Sequence, residues 1–134
     1  MKEPDQRIRD AIVDATEARG LAYAPYSGFK MGAAVVTDKD HVFRGSLVEN
    51  VSLGLSMCAE RAALFATVAN ESGKPEILAL VSKPTSGELT WPCGACLQVA
   101  LELGGRDLIV AVSDGRRQET ARLGDLTPKM PKKN

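Results

Sequence analysis

The chain has 134 residues, with 44% hydrophobic and 25% charged side chains, enough for a folded globule and too apolar for a disordered chain. Seventeen basic residues balance seventeen acidic ones, so charge gives no support for nucleic-acid or membrane binding. The polar opening MKEPDQRIRD is unlike a signal peptide, and no apolar run reaches the length of a membrane span. The expected setting is cytoplasmic, with reduced thiols, and three cysteines do not make a disulfide framework.

Taken in chain order, residues 5–20 read as an amphipathic helix. Ile8, Ala11, Ile12 and Ala15 form its apolar stripe, and Gly20 is the expected stop. YAPYSGFK (23–30) reads as an ordered loop. MGAAVVT (31–37) and HVFRG (41–45) flank the turn DKD and predict a hairpin. Residues 46–57 read as a long connection. The spacing then predicts a helix over 58–72, with apolar Ala62, Leu64, Phe65 and Val68, ended by Gly73 and Pro75.

EILALVS (76–82) has the composition of a strand buried on both faces. KPTSGELT is turn-rich. CGACLQVALEL (93–103) predicts a helix stopped by Gly104 and Gly105, and DLIVAVS (107–113) a second buried strand. The remainder reads as a short element and a frayed basic tail. A strand–helix–strand crossover favours parallel pairing. The expectation is one domain, 1–134, of the three-layer α/β class, with a mixed sheet, helices on both faces and one hairpin.

Cys93 and Cys96 in WPCGAC form a C-x-x-C pair, open to a redox or a metal reading. The redox reading leaves Cys58 unexplained. Cys58 and Cys93 both stand at expected helix starts, where free N–H groups favour thiolate, and Cys96 follows one turn on. Three thiolates suit a catalytic Zn²⁺ that keeps its fourth position for water, whereas a structural site takes four ligands. His41, the only histidine, reads as an exposed strand-edge residue. Glu60 lies two residues after Cys58, placed to act as general base and acid without coordinating. Arg61 beside it can hydrogen-bond the sulfurs and offset the site's negative charge.

C-A-E-R (58–61) with P-C-G-A-C (92–96) resembles the zinc-dependent cytidine deaminases, in the short form with three cysteines. Y-A-P-Y-S-G-F-K-M-G-A-A-V (23–35), F-R-G-S-L-V-E-N (43–50) and D-L-T-P (125–128) are similar to further family segments, in family order. The resemblance implies a three-layer α/β/α fold with a mixed five-stranded sheet. It implies one zinc per subunit on Cys58, Cys93 and Cys96. It implies hydrolysis of cytidine or deoxycytidine to the uridine product and ammonia, zinc-bound hydroxide attacking C4 and Glu60 shuttling protons. The Ala59 N–H would hold the base O2, Phe29 would pack on the base, and Glu49 would bind a ribose hydroxyl. A homotetramer acting in pyrimidine salvage is also implied.

Three positions depart from the family pattern. Leu47 stands where it has a ribose-binding Asn, Leu97 where it has Arg, and Pro131 where it has a terminal Phe. The first bears directly on the sugar, because leucine offers no hydrogen bond. A deaminase of another aminopyrimidine, or of a nucleoside antibiotic of the blasticidin S kind, is therefore the alternative. A structural zinc domain is the non-enzymatic one. Tyr23, Tyr26 and Trp91 are expected to pack loops, with lining of the pocket as the alternative.

Overall fold

The computed structural model describes residues 3–132. The elements in chain order are helix α1 (Pro4–Gly20), strands β1 (Met31–Thr37) and β2 (Val42–Ser46), a single 3₁₀ turn (Leu53–Leu55), helix α2 (Ala59–Ala69), strand β3 (Pro75–Ser82), helix α3 (Gly94–Gly104), strands β4 (Ile109–Ser113) and β5 (Gln118–Arg122) and a short helix α4 (Leu123–Leu126). The five strands make one sheet ordered β2-β1-β3-β4-β5. Only β3 and β4 run parallel, in register Ile77 to Ile109, and α3 is the crossover between them. Every other pair is antiparallel. The mixed sheet of an α/β fold is therefore as expected.

Helices cover both faces. Ala11 and Ala15 of α1 pack on Ala34, Val36, Ile77, Ala79 and Val81. Ala59, Ala63 and Leu64 of α2, with Ala100 and Leu101 of α3, pack on the opposite face against Ala33, Val35, Leu78, Leu80, Val110 and Val112. β3 alternates its side chains between two apolar layers, which is why its sequence is apolar almost throughout. No helix among the described residues is long and apolar enough to cross a membrane.

Several expectations needed correction. A second antiparallel hairpin, β4–β5, closes the sheet edge. The residues of β5 are mostly exposed and carry no apolar period, so QETAR gave no strand signal. α1 does end at Gly20 as expected, and Leu21, with φ −95°, closes it by donating to the Ala18 carbonyl. α2 is shorter than 58–72, because Asn70 turns its side-chain amide onto the Ala66 carbonyl and Glu71 and Gly73 take positive φ. Phe65 and Val68, apolar in sequence, are exposed.

The C-terminal segment up to residue 132 is docked, not frayed. Arg106 donates to the carbonyls of Thr127 and Met130, and Gln98 donates to that of Pro131. Met130 packs against the core, near Gly94 at the start of α3. The last residues of the expected tail, Lys133 and Asn134, and the first two of the chain lie outside the described residues.

Candidate metal centre and substrate pocket

Two helix starts meet to form the site. Cys58 stands at the N-cap of α2 and Cys93 at that of α3, each in extended conformation (ψ 146° and 166°), and neither sulfur makes a capping hydrogen bond to its helix backbone. Cys96 sits in the first turn of α3 and is fully buried. The three sulfurs lie within 4.8 Å of one another, with 4.0 Å between Cys58 and Cys93 and 3.5 Å between Cys93 and Cys96. Tetrahedral zinc with bonds of about 2.3 Å would separate its sulfurs by ~3.8 Å, so the donor set fits that ion in type and in spacing. His41 is outside the group, exposed, with Nδ1 2.6 Å from the Ser72 hydroxyl.

Charge around the sulfurs is arranged for thiolate. Cys58 is drawn down to about 5 by the hydrogen bond from Cys96, with further help from Arg61 and Cys93. Cys96 is pushed up by its hydrogen bond to Cys58 and by burial. The Arg61 guanidinium donates to Cys58 Sγ at 3.4 Å, and this contact raises its own pKa further. The Leu97 side chain, partly buried against the core, can donate no such bond.

Glu60 is 1% exposed and its Oε1 has no hydrogen-bond partner in the structure. Burial pushes its carboxyl up to about 7, and the charge at Cys58 adds to the shift. A buried carboxyl oxygen without a partner is costly and points to a ligand or water as its missing partner. The Ala59 amide lies in the first turn of α2, where helical geometry leaves N–H groups unsatisfied.

The remaining expected residues come from the loops that flank β1 and β2. The Tyr23 amide donates to the Leu47 carbonyl and the Glu49 amide to the Tyr23 carbonyl. Val48 bridges antiparallel to Met57, so the 47–50 segment runs alongside the chain that enters Cys58. Phe29 is partly buried, with the Lys83 ammonium 5.3 Å from its ring centre. Trp91 packs against the core, whereas Tyr23 and Tyr26 are 57% and 58% exposed. Sequence reasoning passed over Ser27, whose hydroxyl bonds both Glu49 and Phe29. Its position in a Ser-Gly turn two residues before Phe29 was the available signal.

The family model for the cytidine and deoxycytidylate deaminase zinc-binding region matches residues 5–112. The chain belongs to that family. It is 43% identical over 115 residues to a cytidine deaminase of Mycobacterium tuberculosis, covering 86% of this chain and 82% of that one. It is 44% identical over 92 residues to one from Halalkalibacterium halodurans, covering 69% and 68%. The crystal structure of cytidine deaminase from Burkholderia pseudomallei superposes with a TM-score of 0.83 at 44% identity, over 90% of this chain and 96% of that one. The M. tuberculosis crystal structure gives a TM-score of 0.75 at 40% identity, over 96% and 97%. The family is a zinc-binding one, and the cysteine triad supplies thiolate donors of the right kind for zinc.

Proposed function

We propose that the protein is a zinc-dependent aminohydrolase that removes the exocyclic amine of cytidine and deoxycytidine, working as a single catalytic domain. The observation that carries this reading is the buried Glu60 carboxyl two residues from Cys58, with its Oε1 left without a partner. A structural zinc domain has no use for such a group. The deaminases of M. tuberculosis and B. pseudomallei share about two fifths of their residues with this chain over most of its length.

Cys58, Cys93 and Cys96 hold the zinc, which when bound supplies Lewis acidity that makes water nucleophilic near neutral pH. Arg61 keeps the Cys58 sulfur ionised and offsets its charge. Glu60 takes a proton, delivers it to N3 of the pyrimidine, and assists departure of ammonia. Its burial keeps the carboxyl basic enough for that shuttle. The Ala59 amide orients the base through O2, Phe29 packs on the base, and Glu49 accepts from a sugar hydroxyl. Leu47 adds no polar contact to the sugar.

A homo-oligomer, of four subunits by family likeness, is part of the reading. Val51, Leu53 and Leu55 are 78%, 79% and 69% exposed on the connection before Cys58, an apolar surface that self-association would cover. Cytoplasmic pyrimidine salvage is the corresponding role.

A panel of cytidine, deoxycytidine, cytosine and blasticidin S, followed for ammonia release from zinc-loaded protein, tests the activity. Turnover of the two nucleosides supports it. Turnover of another amine alone would keep the chemistry and replace the substrate. Inertness toward all four would favour the structural-zinc reading. Light scattering on the same sample reads the oligomer.

A further inference from the structure

Glu49 is not a free side chain reaching for a ligand. Its Oε1 accepts from the Tyr26 amide at 3.0 Å and the Ser27 amide at 3.2 Å, and its Oε2 accepts from the Ser27 hydroxyl at 2.5 Å. A carboxylate offers about four acceptor positions, so three are filled and one remains for a ligand. The Ser27 oxygen in turn accepts from the Phe29 amide at 3.0 Å. One hydroxyl thus links the carboxylate assigned above to the sugar with the backbone of the aromatic residue assigned to the base. Backbone hydrogen bonds close the turn that carries Ser27. Gly28 has φ +69°, its amide donates to the Ala24 carbonyl at 3.0 Å, and its carbonyl accepts from Lys30 at 3.2 Å. The Ser27 bond is also the largest cause holding the Glu49 carboxyl below its usual range.

We propose that Ser27 is a positioning residue that couples Glu49 to Phe29 and so presets the grip on the substrate without touching its reacting atoms. This rests on the nucleoside reading above. Charge-assisted hydrogen bonds of this kind fix direction as well as contributing energy. With the hydroxyl gone, Glu49 keeps two amide donors but loses its torsional lock, and the Phe29 amide loses its acceptor. Binding then carries the cost of ordering both groups, while Glu60 and the cysteines are untouched.

The test uses zinc-loaded wild type, Ser27→Ala and Ser27→Thr. In Ser27→Ala, KM for cytidine rises about tenfold while kcat stays within about twofold, the signature of lost ground-state positioning. Ser27→Thr, which keeps the hydroxyl, restores KM. An unchanged KM in Ser27→Ala, or a kcat that falls in step with zinc content, would overturn the proposal. Amide exchange gives a readout independent of turnover. Exchange at Phe29 speeds up about tenfold in Ser27→Ala and returns in Ser27→Thr. Equal rates in all three proteins would refute the coupling, even if wild type were inert toward cytidine. That inertness would by itself remove only the activity assigned above.

Discussion

Gly45 of β2 lies directly beneath the Ala59 carbonyl of α2. A Cβ at Gly45 would run into that oxygen and into the Ala63 amide. Its absence lets the first turn of α2, with Cys58, Glu60 and Arg61, press onto the sheet. Gly45→Ala should therefore lower stability by about 1–3 kcal/mol through overpacking, and should push the α2 start outward. Thermal unfolding checks the first effect. Zinc retention against a chelator checks the second, and is expected to fall with it. A variant as stable and as metal-tight as wild type would show that the helix can slide without disturbing the site.

Glu60→Gln keeps the shape of the side chain and removes its basicity. The buried Oε1 remains an amide acceptor, so the fold and the zinc content should hold. Deamination should fall by about 10²–10⁴-fold, the usual worth of a positioned acid–base group. Ammonia release and metal analysis on one preparation decide it. Loss of zinc along with activity would reassign Glu60 to the support of the metal.

Arg61 is the only guanidinium that donates to a cysteine sulfur among the described residues. Leu97, one residue past Cys96, cannot share that work. Arg61→Ala should weaken zinc retention by about 10–100-fold, as is typical when a group hydrogen-bonded to a metal ligand is removed. Competition with a chromogenic chelator measures this. An unaltered affinity would mean that the two helix starts alone hold the thiolate charge.

Leu47→Asn tests the pocket from the other side. The leucine backbone already accepts from Tyr23 and donates to Met31, so the change leaves the loop pairing intact. A new side-chain hydrogen bond to a sugar hydroxyl is worth about 0.5–1.5 kcal/mol net, so KM for cytidine should fall by roughly two- to tenfold. KM for an amine without a sugar should not move. Equal effects on both would place residue 47 away from the sugar.

Much of this architecture was legible because burial and periodicity coincide. β3 is sandwiched between two helical layers, and its apolar run said so. The Cys58, Glu60 and Cys93, Cys96 spacings placed their side chains at helix starts, and the fold brings those starts together. What the sequence concealed is decided by contacts between distant segments. β5 forms because β4 offers it an edge, not through any pattern in QETAR. The tail after α4 is held by Arg106 and Gln98, more than twenty residues away, and no local rule foretells that. Phe65 and Val68 are apolar in sequence, but they are exposed and with Val99 and Leu103 line an open groove on the outer side of α2 and α3. Ser27 gained its role only when Glu49 folded over it.

The β4–β5 turn makes the pH prediction. Asp114 Oδ1 accepts from the amides of Arg116 and Arg117 at 2.8 and 2.7 Å, and Oδ2 takes the Arg117 side chain at 3.3 Å. The Arg117 amide, then that of Arg116, holds the Asp114 carboxyl down to about 2 from its ordinary 3.8. A depressed carboxyl pKa means that the folded state prefers the ionised form. The stabilisation is complete above the unfolded value, and it is lost as pH falls through the folded one. The window therefore runs from pH 3.8 down to about 2. Asp114→Asn mimics the protonated form and should melt below wild type above that window. The gap between the two melting points should narrow through the window and close beneath it. Carboxyl carbon shifts of Asp114, followed by NMR, should titrate near the lower limit. A midpoint at the ordinary aspartate value, with a gap that ignores pH, would show that the turn amides do not hold the charge.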